Sequence, residues 1–404
     1  MRKQLLQILI FVFVDVLGFS LILPLLPYYA DTFGASATVI GFLLASNAVT
    51  QLFGAPMLGR LSDRYGRRPL LIVSLIGTLG SFLLLGFARS LWMVFLSRIL
   101  DGLLGGDITL AQAYISDITD TKDRAKGLGL IGAAFGLGFI LGPAMGGALS
   151  AGGNYALPAF IAAGIAAINL LGVLLWLPES LPAQSQMERR ANPETRFSLP
   201  LLWEALHLPC VGPLLNMQLF YRLAFTIFET IFSTYALYRF ALTAQSTSYV
   251  LAYVGIVVVI VQGGAIGALT RRFSEQQLTL AGVGLLAIAL VGWAVAPGIG
   301  VLLIVLVPLS LASGVLNTVL NSQLSKAVPP EEVGGALGLS AALSSFARIV
   351  SPIAGGFLLE RLGAWAPGIA AAVVMAGLTL YAQRYLHTLP DPITPACHTP
   401  GESL

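Results

Sequence analysis

Residues 59–69 form the densest charge cluster near the start of a very apolar chain; they read Gly59-Arg60-Leu61-Ser62-Asp63-Arg64-Tyr65-Gly66-Arg67-Arg68-Pro69. One apolar run ends at Leu58 and the next begins at Leu70. The two glycines suit a sharp turn and close helix contact because they carry no Cβ, and Pro69 suits the first turn of a following helix. The stretch therefore predicts a tight, basic link between two hydrophobic segments. Its arginines favour the cytoplasmic side of a membrane.

The composition places the whole chain in a membrane. Apolar residues make up 56% of the chain, charged residues 10%, and the mean hydropathy is +0.85, whereas soluble domains carry about 25% charged residues. The net charge of +3 does not indicate nucleic-acid binding, because the basic residues lie in short loops. Cys210 and Cys397 both fall in segments predicted to be cytoplasmic, so we expect free thiols.

The hydropathy pattern predicts an all-α membrane protein with twelve transmembrane helices. A span needs about 20 mostly apolar residues, and the first run is too long for a signal peptide and contains Asp15. Of the Lys and Arg residues, sixteen fall in the loops that would be cytoplasmic and three in the outer loops. This bias predicts an N-in, C-in orientation. The predicted spans are 5–27, 38–58, 70–88, 91–116, 125–150, 156–177, 211–237, 246–269, 277–296, 299–322, 334–358 and 364–386.

The chain also divides into two similar parts. We predict an N-terminal six-helix half at 1–177, a cytoplasmic linker at 178–208, a C-terminal six-helix half at 209–388 and a disordered tail at 389–404. A shift of 209 residues places Pro143, Gly146 and Gly147 on Pro352, Gly355 and Gly356. Duplicated halves related by an axis along the membrane normal suit alternating access to a central site.

The basic stretch resembles the signature loop of major facilitator superfamily (MFS) transporters, G-x-L-x-D-R-x-G-R-[RK], between their second and third helices. Over residues 5–386 the chain is similar to the twelve-helix drug/proton antiporters, which include the tetracycline exporters. The resemblance implies a cytoplasmic interlock in which Arg67 pairs with an acid that ends the fourth span, Asp117. The implied gate residues are Gly59, Asp63, Arg64, Gly66, Arg67, Arg68 and Asp117.

A glycine-rich run in the fifth span resembles the G-P-x-x-G-G motif of the family's exporters, where it lies between the halves. Glycine rows mark close helix contacts in lipid, and a proline would bend the helix. The candidate packing residues are Gly138, Gly142, Pro143, Gly146 and Gly147.

Three ionisable residues in the first and fourth spans are candidates for proton coupling. Each such charge costs roughly 2.5–3.5 kcal/mol at the centre of a span by insertion scales, so each needs a function or a partner. Asp15 resembles the first-span acid of the antiporters, although a structural ion pair is the other interpretation. Arg98 matches the family's R-x-x-x-G motif, and Asp101 lies on the same helix face. Relatives often carry an uncharged residue at the latter position, and the pair is either a proton-dependent switch or a static salt bridge.

Further polar and aromatic residues predict a substrate cavity. Arg222 and Glu229 lie two turns apart on one face of the seventh span, among aromatic residues that suit either packing or ligand contact. The candidate cavity residues are Asp107, Gln112, Arg222, Phe225, Glu229 and Arg348.

These features predict a secondary transporter that exports an amphipathic organic compound in exchange for protons. A proton symporter or uniporter for a metabolite or organic anion remains open, with Arg222 and Arg348 binding the anion. A non-transporting receptor or lipid-handling protein on the same scaffold is a further alternative. The sequence has no Walker loop, no paired nucleophile and base, and no metal-ligand cluster, so we expect no enzymatic activity, no cofactor and no metal. The eighth span lacks the histidine of the tetracycline exporters, which speaks against tetracycline as substrate. We expect a functional monomer in the lipid bilayer of a bacterial inner membrane, with a small molecule and protons as its partners.

Overall fold

The computed structural model describes residues 2–119, 121–181, 211–329 and 333–386, and these residues contain helices and connections but no β-strand. Most of the predicted linker 178–208, the tail 389–404 and both cysteines, Cys210 and Cys397, lie outside the described residues.

The helices before the linker follow the apolar runs closely. A single 3-10 turn at Leu23–Leu25 separates α1 from α2, and Pro24 lies within that turn. The helices are α1 (Arg2–Ile22), α2 (Leu26–Asp31), α3 (Ala37–Tyr65), α4 (Arg67–Gly86), α5 (Leu91–Leu104), α6 (Asp107–Ile118), α7 (Thr121–Leu149) and α8 (Ala156–Trp176).

Seven more helices follow the linker. A π-helical segment, Val261–Ala265, joins α10 to α11. The helices are α9 (Gly212–Phe240), α10 (Ala244–Ile260), α11 (Ile266–Arg272), α12 (Glu275–Val295), α13 (Ile299–Lys326), α14 (Val333–Leu362) and α15 (Ala366–Leu386).

Nine stretches of helix in the described ranges are long and apolar enough to cross a membrane. The count of twelve spans and the N-in, C-in orientation therefore remain predictions. Helix α9, which corresponds to the predicted seventh span, has 29 residues but is not among the nine.

One local expectation was wrong, and the basic link is shorter than expected. The predicted fourth span, 91–116, is not one helix, because it breaks between α5 and α6 at Gly105 and Gly106. The basic link is almost entirely helical, because α3 continues to Tyr65 and α4 begins at Arg67. Gly66 alone makes the turn with φ of +103°, a backbone conformation that a residue with a Cβ rarely adopts.

The chain forms two compact units: residues 1–195 with 233–255, and residues 196–232 with 256–404. In the first unit, α1 packs along α7, α3 against α5, and α4 against α8. In the second unit, α12 packs against both α13 and α15. The second unit also buries Trp293, whose ring meets Phe228 edge-on with 5.1 Å between centroids. The half boundaries expected from sequence, 1–177 and 209–388, stay a prediction.

Candidate functional site

Arg67 is the buried centre of a polar cluster in the first unit, here called the Arg67 cluster (Ser62, Asp63, Arg67, Asp117 and Glu179). Arg67 lies just after the Gly66 turn and is only 4% exposed. Its Nη2 lies 2.6 Å from Asp63 Oδ1 and its Nε lies 2.9 Å from Asp117 Oδ2. Its Nη1 donates to the Ser62 hydroxyl. One guanidinium therefore joins the end of α3 to the end of α6 through all three of its nitrogens, which is the fork geometry that only arginine offers.

Glu179 completes this cluster, and the sequence analysis missed it. Its carboxylate accepts the backbone N–H of Arg67 at 2.8 Å and that of Arg68 at 3.0 Å. The neighbouring Ser180 hydroxyl donates to Asp117 at 3.3 Å, and Tyr114 donates its hydroxyl to the carbonyl of Pro178 at 2.8 Å. A carboxylate at a helix N-terminus satisfies N–H groups that have no partner within the helix. The segment that follows α8 is thus fastened to the start of α4.

The remaining predicted gate residues have less enclosed positions. Arg64 is exposed, and Arg68 donates from Nη2 to the carbonyl of Leu174 at 2.6 Å. Gly59 is not a close-contact position, since an added Cβ would meet only Thr109, at 4.0 Å. The tight glycine of α3 is Gly54, where a Cβ would lie 2.8 Å from the carbonyl oxygen of Gly102.

The second site lies around the break between α5 and α6. Asp101 accepts three hydrogen bonds: from Asn47 at 3.0 Å, from Ser81 at 3.2 Å and from Arg98 at 3.3 Å. Arg98 is 2% exposed, and its Nη2 is buried without a hydrogen-bond partner in the described part of the chain. The pair on one helix face is therefore present, and polar groups of α3 and α4 hold its acid in place.

Asp107 begins α6 directly after the break. Its Oδ2 accepts from Thr78 at 3.3 Å, whereas its Oδ1 is buried with no partner among the described residues. Ser74 bridges the break itself: its hydroxyl donates to the carbonyl of Leu104 at 2.5 Å and accepts the N–H of Gly106 at 3.0 Å. A broken helix of this kind is tolerated within a membrane only where other groups satisfy its backbone.

Asp15 lies in electrostatic range of both Asp101 and Asp107. It is half-buried, and within the described ranges it makes no hydrogen bond or ion pair. We call these three acids the three-carboxylate cluster. Only one base, Arg98, pairs with a member of the cluster in the described residues. Gln112, which was predicted to share a face with Asp107, is exposed.

The second unit contains a third polar site, the amide cluster (Gln218, Arg222, Asn317 and Asn321). Arg222 on α9 donates from Nη2 to the side-chain oxygen of Asn317 on α13. Asn321 donates to the backbone carbonyl of Asn317 at 2.7 Å, and Gln218 donates to the Asn321 side chain at 3.2 Å. Sequence reasoning found only Arg222, although the Asn317-x-x-x-Asn321 spacing on an apolar helix is a readable signal.

The other predicted cavity residues of the second unit differ in setting. Phe225 stacks against Tyr221 with 5.9 Å between centroids and an interplanar angle of 21°. Glu229 and Arg348 are both exposed, and neither makes an ion pair within the described ranges. The aromatic side chains around Phe225 thus form a packed row, because Phe228 also lies 6.0 Å from it.

The glycine row of α7 packs mainly against α1. A Cβ at Gly138 would lie 2.7 Å from Val16, and Cβ atoms at Gly142 and Gly146 would collide with Ser20 and with the carbonyl of Leu21. The Ser20 hydroxyl donates to the carbonyl of Gly138 at 2.8 Å. Gly147 instead faces α10, where a Cβ would lie 2.7 Å from Ser248, and α7 continues through Pro143.

Comparison of the sequence with known proteins assigns the chain to a family. Residues 8–352 and 266–396 match the Major Facilitator Superfamily. The chain is 33% identical over 368 residues to the class C tetracycline resistance protein of Escherichia coli, covering 87% of this chain and 88% of that one. It is 30% identical to Multidrug resistance protein 2 of Bacillus subtilis (strain 168), covering 91% and 92%.

Eukaryotic and structural relatives agree on the fold. Solute carrier family 67 member A1 of Homo sapiens is 32% identical over 353 residues, covering 84% of this chain and 82% of that one. The crystal structure of the human organic anion transporter MFSD10 superimposes with a TM-score of 0.71 at 22% identity, covering 95% and 99%. A nucleoside transporter superimposes with a TM-score of 0.76 at 16% identity, covering 96% and 100%. The protein is therefore an integral, multi-pass member of the Major Facilitator Superfamily of transporters.

Proposed function

We propose that the protein is a secondary active transporter that exports an amphipathic organic compound in exchange for protons. The observation that carries the proposal is the three-carboxylate cluster around the break in the fourth predicted span. Of these three acids, only Asp101 pairs with a base, Arg98, in the described residues, and Asp15 is repelled by the other two acids. Ionisable groups at membrane depth are costly and typically mark ion or proton pathways.

In this proposal, proton binding is coupled to the Arg98–Asp101 pair. A proton on Asp101 cancels the negative charge that holds Arg98, and loss of the proton restores the pair. Asp15 and Asp107 have no basic partner among the described residues, so a proton on either relieves repulsion from the other acids. Export then follows if the substrate and the proton favour opposite states of the transporter.

The Arg67 cluster is our candidate for the cytoplasmic gate. Its guanidinium has three acceptors and is almost completely buried, so the bonds can carry a gate that is either closed or open. We propose that the cluster is intact in the outward-facing state and opens in the inward-facing state. The proposal includes twelve spans in two halves with both termini cytoplasmic. It also includes a functional monomer in a bacterial inner membrane.

A second candidate function is symport or uniport of an organic anion. Arg222 supports it, because this guanidinium has an amide partner but no carboxylate partner in the described part of the chain. Protons move opposite to the substrate in antiport and with the substrate in symport, and they do not move in uniport.

Proton movement in proteoliposomes tests the proposal. Purified protein is reconstituted with a pH-sensitive dye inside, and organic cations, anions and neutral amphipaths are added in turn. We expect substrate-triggered proton flux opposite to substrate flux, lost in Asp15→Asn and retained in the control Asp31→Asn, since Asp31 is exposed at the end of α2. Flux in the same direction would establish symport. Substrate flux without proton movement would establish uniport, and no flux with any compound would reject transport of these classes.

A further inference from the structure

We propose that the amide cluster on α9 and α13 is a binding subsite for an oxyanion, in the first instance the carboxylate of an aromatic acid. The inference rests on the transporter function proposed above, and it names the chemical group by which the substrate is held in the second unit.

The cluster has more donors than acceptors. Its internal bonds use Nη2 of Arg222, the side-chain nitrogen of Asn321 and that of Gln218. Nε and Nη1 of Arg222 and the side-chain nitrogen of Asn317 have no acceptor among the described residues. Arg222 and Asn317 are both only half-buried, so these donors are accessible to a ligand. A guanidinium edge beside an amide N–H matches the two oxygens of a carboxylate.

A buried atom also shows that the cluster is incomplete. Gln218 is 3% exposed, and its Oε1 lacks a partner within the described ranges although its Nε2 bonds Asn321. Buried polar atoms in native proteins are rarely left unsatisfied without a functional reason. Because this atom is an acceptor, a carboxylate cannot satisfy it directly, but a water that donates one O–H to Gln218 Oε1 and the other to the carboxylate can.

The depth and direction of Arg222 suit a substrate site. Arg222 lies ten residues into α9, about 15 Å along the helix axis; with α9 as the proposed seventh span, this distance is half the hydrocarbon thickness of a bilayer. Phe220 is 44% exposed and lies about 200° round the helix, so Arg222 points away from that apolar surface. The nearest acid on its own face of α9 is Glu229, about 10 Å further along the axis, so the charge of Arg222 is not cancelled on this helix.

The surroundings favour a flat apolar body next to the anionic group. The Arg222 guanidinium carbon lies 5.4 Å from the centroid of the Tyr221 ring, and the Tyr221 hydroxyl is fixed to the carbonyl of Ser313 at 3.0 Å. The stacked ring of Phe225 is only half-buried. An aromatic carboxylate can place its charge on Arg222 and its ring against these side chains.

Calorimetric titration of the full-length protein in lipid nanodiscs tests the subsite. The probes are 2-naphthoate and its neutral isostere 2-naphthamide. Loss of a hydrogen bond to a charged group corresponds to about a 10- to 100-fold loss of affinity. We expect tighter binding of naphthoate than of naphthamide. Arg222→Gln should weaken naphthoate binding about 10- to 100-fold and leave naphthamide binding unchanged. Arg361→Gln, an exposed arginine at the end of α14, is the matched control and should change neither.

Asn317→Ala is the second test variant if Arg222→Gln does not fold. It too should weaken the binding of naphthoate and leave that of naphthamide unchanged. Equal affinity for the two probes, no binding of naphthoate, or an unchanged preference in both variants would overturn the subsite. The binding experiment tests the subsite independently of the proposed antiport. Selective loss of naphthoate binding without any proton flux would keep the subsite and reject antiport.

Discussion

The carboxylate of Glu179 lies 2.8 Å from the backbone nitrogen of Arg67, a residue 112 positions earlier in the chain. The bond gives α4 the N-terminal cap that its own Gly66 does not supply. It also means that the segment after α8 and the arginine of the proposed gate share one set of hydrogen bonds. Movement of the segment after α8 should therefore disturb the hydrogen bonds of Arg67, and movement of Arg67 should disturb that segment.

Glu179→Ala should lower the free energy of unfolding by about 0.5–2 kcal/mol, the usual cost of losing a helix N-cap. It should also slow transport if the Arg67 cluster is the gate. Thermal unfolding in detergent measures the first effect and proteoliposome flux the second. The control is Glu275→Gln in the first turn of α12, whose partner Lys326 is largely exposed, so that the change should be small. Equal effects of the two variants would contradict a special role for Glu179.

Arg67→Lys should behave as a severe change although it preserves charge. A lysine cannot reproduce three separate bonds to Ser62, Asp63 and Asp117, because it presents one ammonium group where arginine presents a fork. We expect at least a tenfold fall in the initial rate of transport. Arg64→Lys, at the exposed end of α3, should retain near-normal transport. Similar rates for the two variants would argue against the Arg67 cluster as the gate.

The sequence carried more information about the Arg67 cluster than about the other sites. Gly66, Arg67 and Asp63 are close in sequence, so their spacing alone predicts their proximity. Glu179 is distant in sequence, and its Pro-Glu-Ser context shows only that a helix has ended. The Gly105-Gly106 pair could have predicted the break in the fourth span, since Gly-Gly pairs are common at turns.

Exposure was harder to predict than position. Arg222 and Glu229 lie on one helix face, yet Arg222 bonds to α13 whereas Glu229 is exposed. Helical periodicity gives the direction of a side chain but not the identity of the helix that it meets. For the same reason, helical spacing pairs Asn317 with Asn321 on α13 but does not show that they meet Gln218 and Arg222 of α9.

The carboxylates near the break should respond differently to removal of their charge. Asp101→Asn leaves Arg98 buried without its acid, and breaking a buried pair typically costs about 3–5 kcal/mol. Asp107→Asn removes a charge that has no basic partner in the described residues, so its stability should be equal to or higher than that of the parent. Thermal unfolding of both variants at neutral pH gives the comparison.

The double variant Arg98→Met/Asp101→Leu separates the loss of the ion pair from the cost of leaving one buried charge without its partner. It removes both charges, so it should be more stable than Asp101→Asn alone. If instead the double variant is the less stable of the two, the hydrogen bonds of Asp101 to Asn47 and Ser81 matter more than the charge of Arg98.

The glycine row of α7 allows a prediction with its own internal control. Gly142 lies against Ser20 and Leu21 of α1, so the Cβ of Gly142→Ala would force the two helices apart. Overpacking of this kind typically costs about 1–3 kcal/mol. Gly132 lies on the same helix with no atom within 4 Å of an added Cβ. Since alanine also favours the helix, Gly132→Ala should be neutral or stabilising. Thermal unfolding of the two variants decides the matter, because equal stabilities would mean that α1 can shift on α7 without loss of packing.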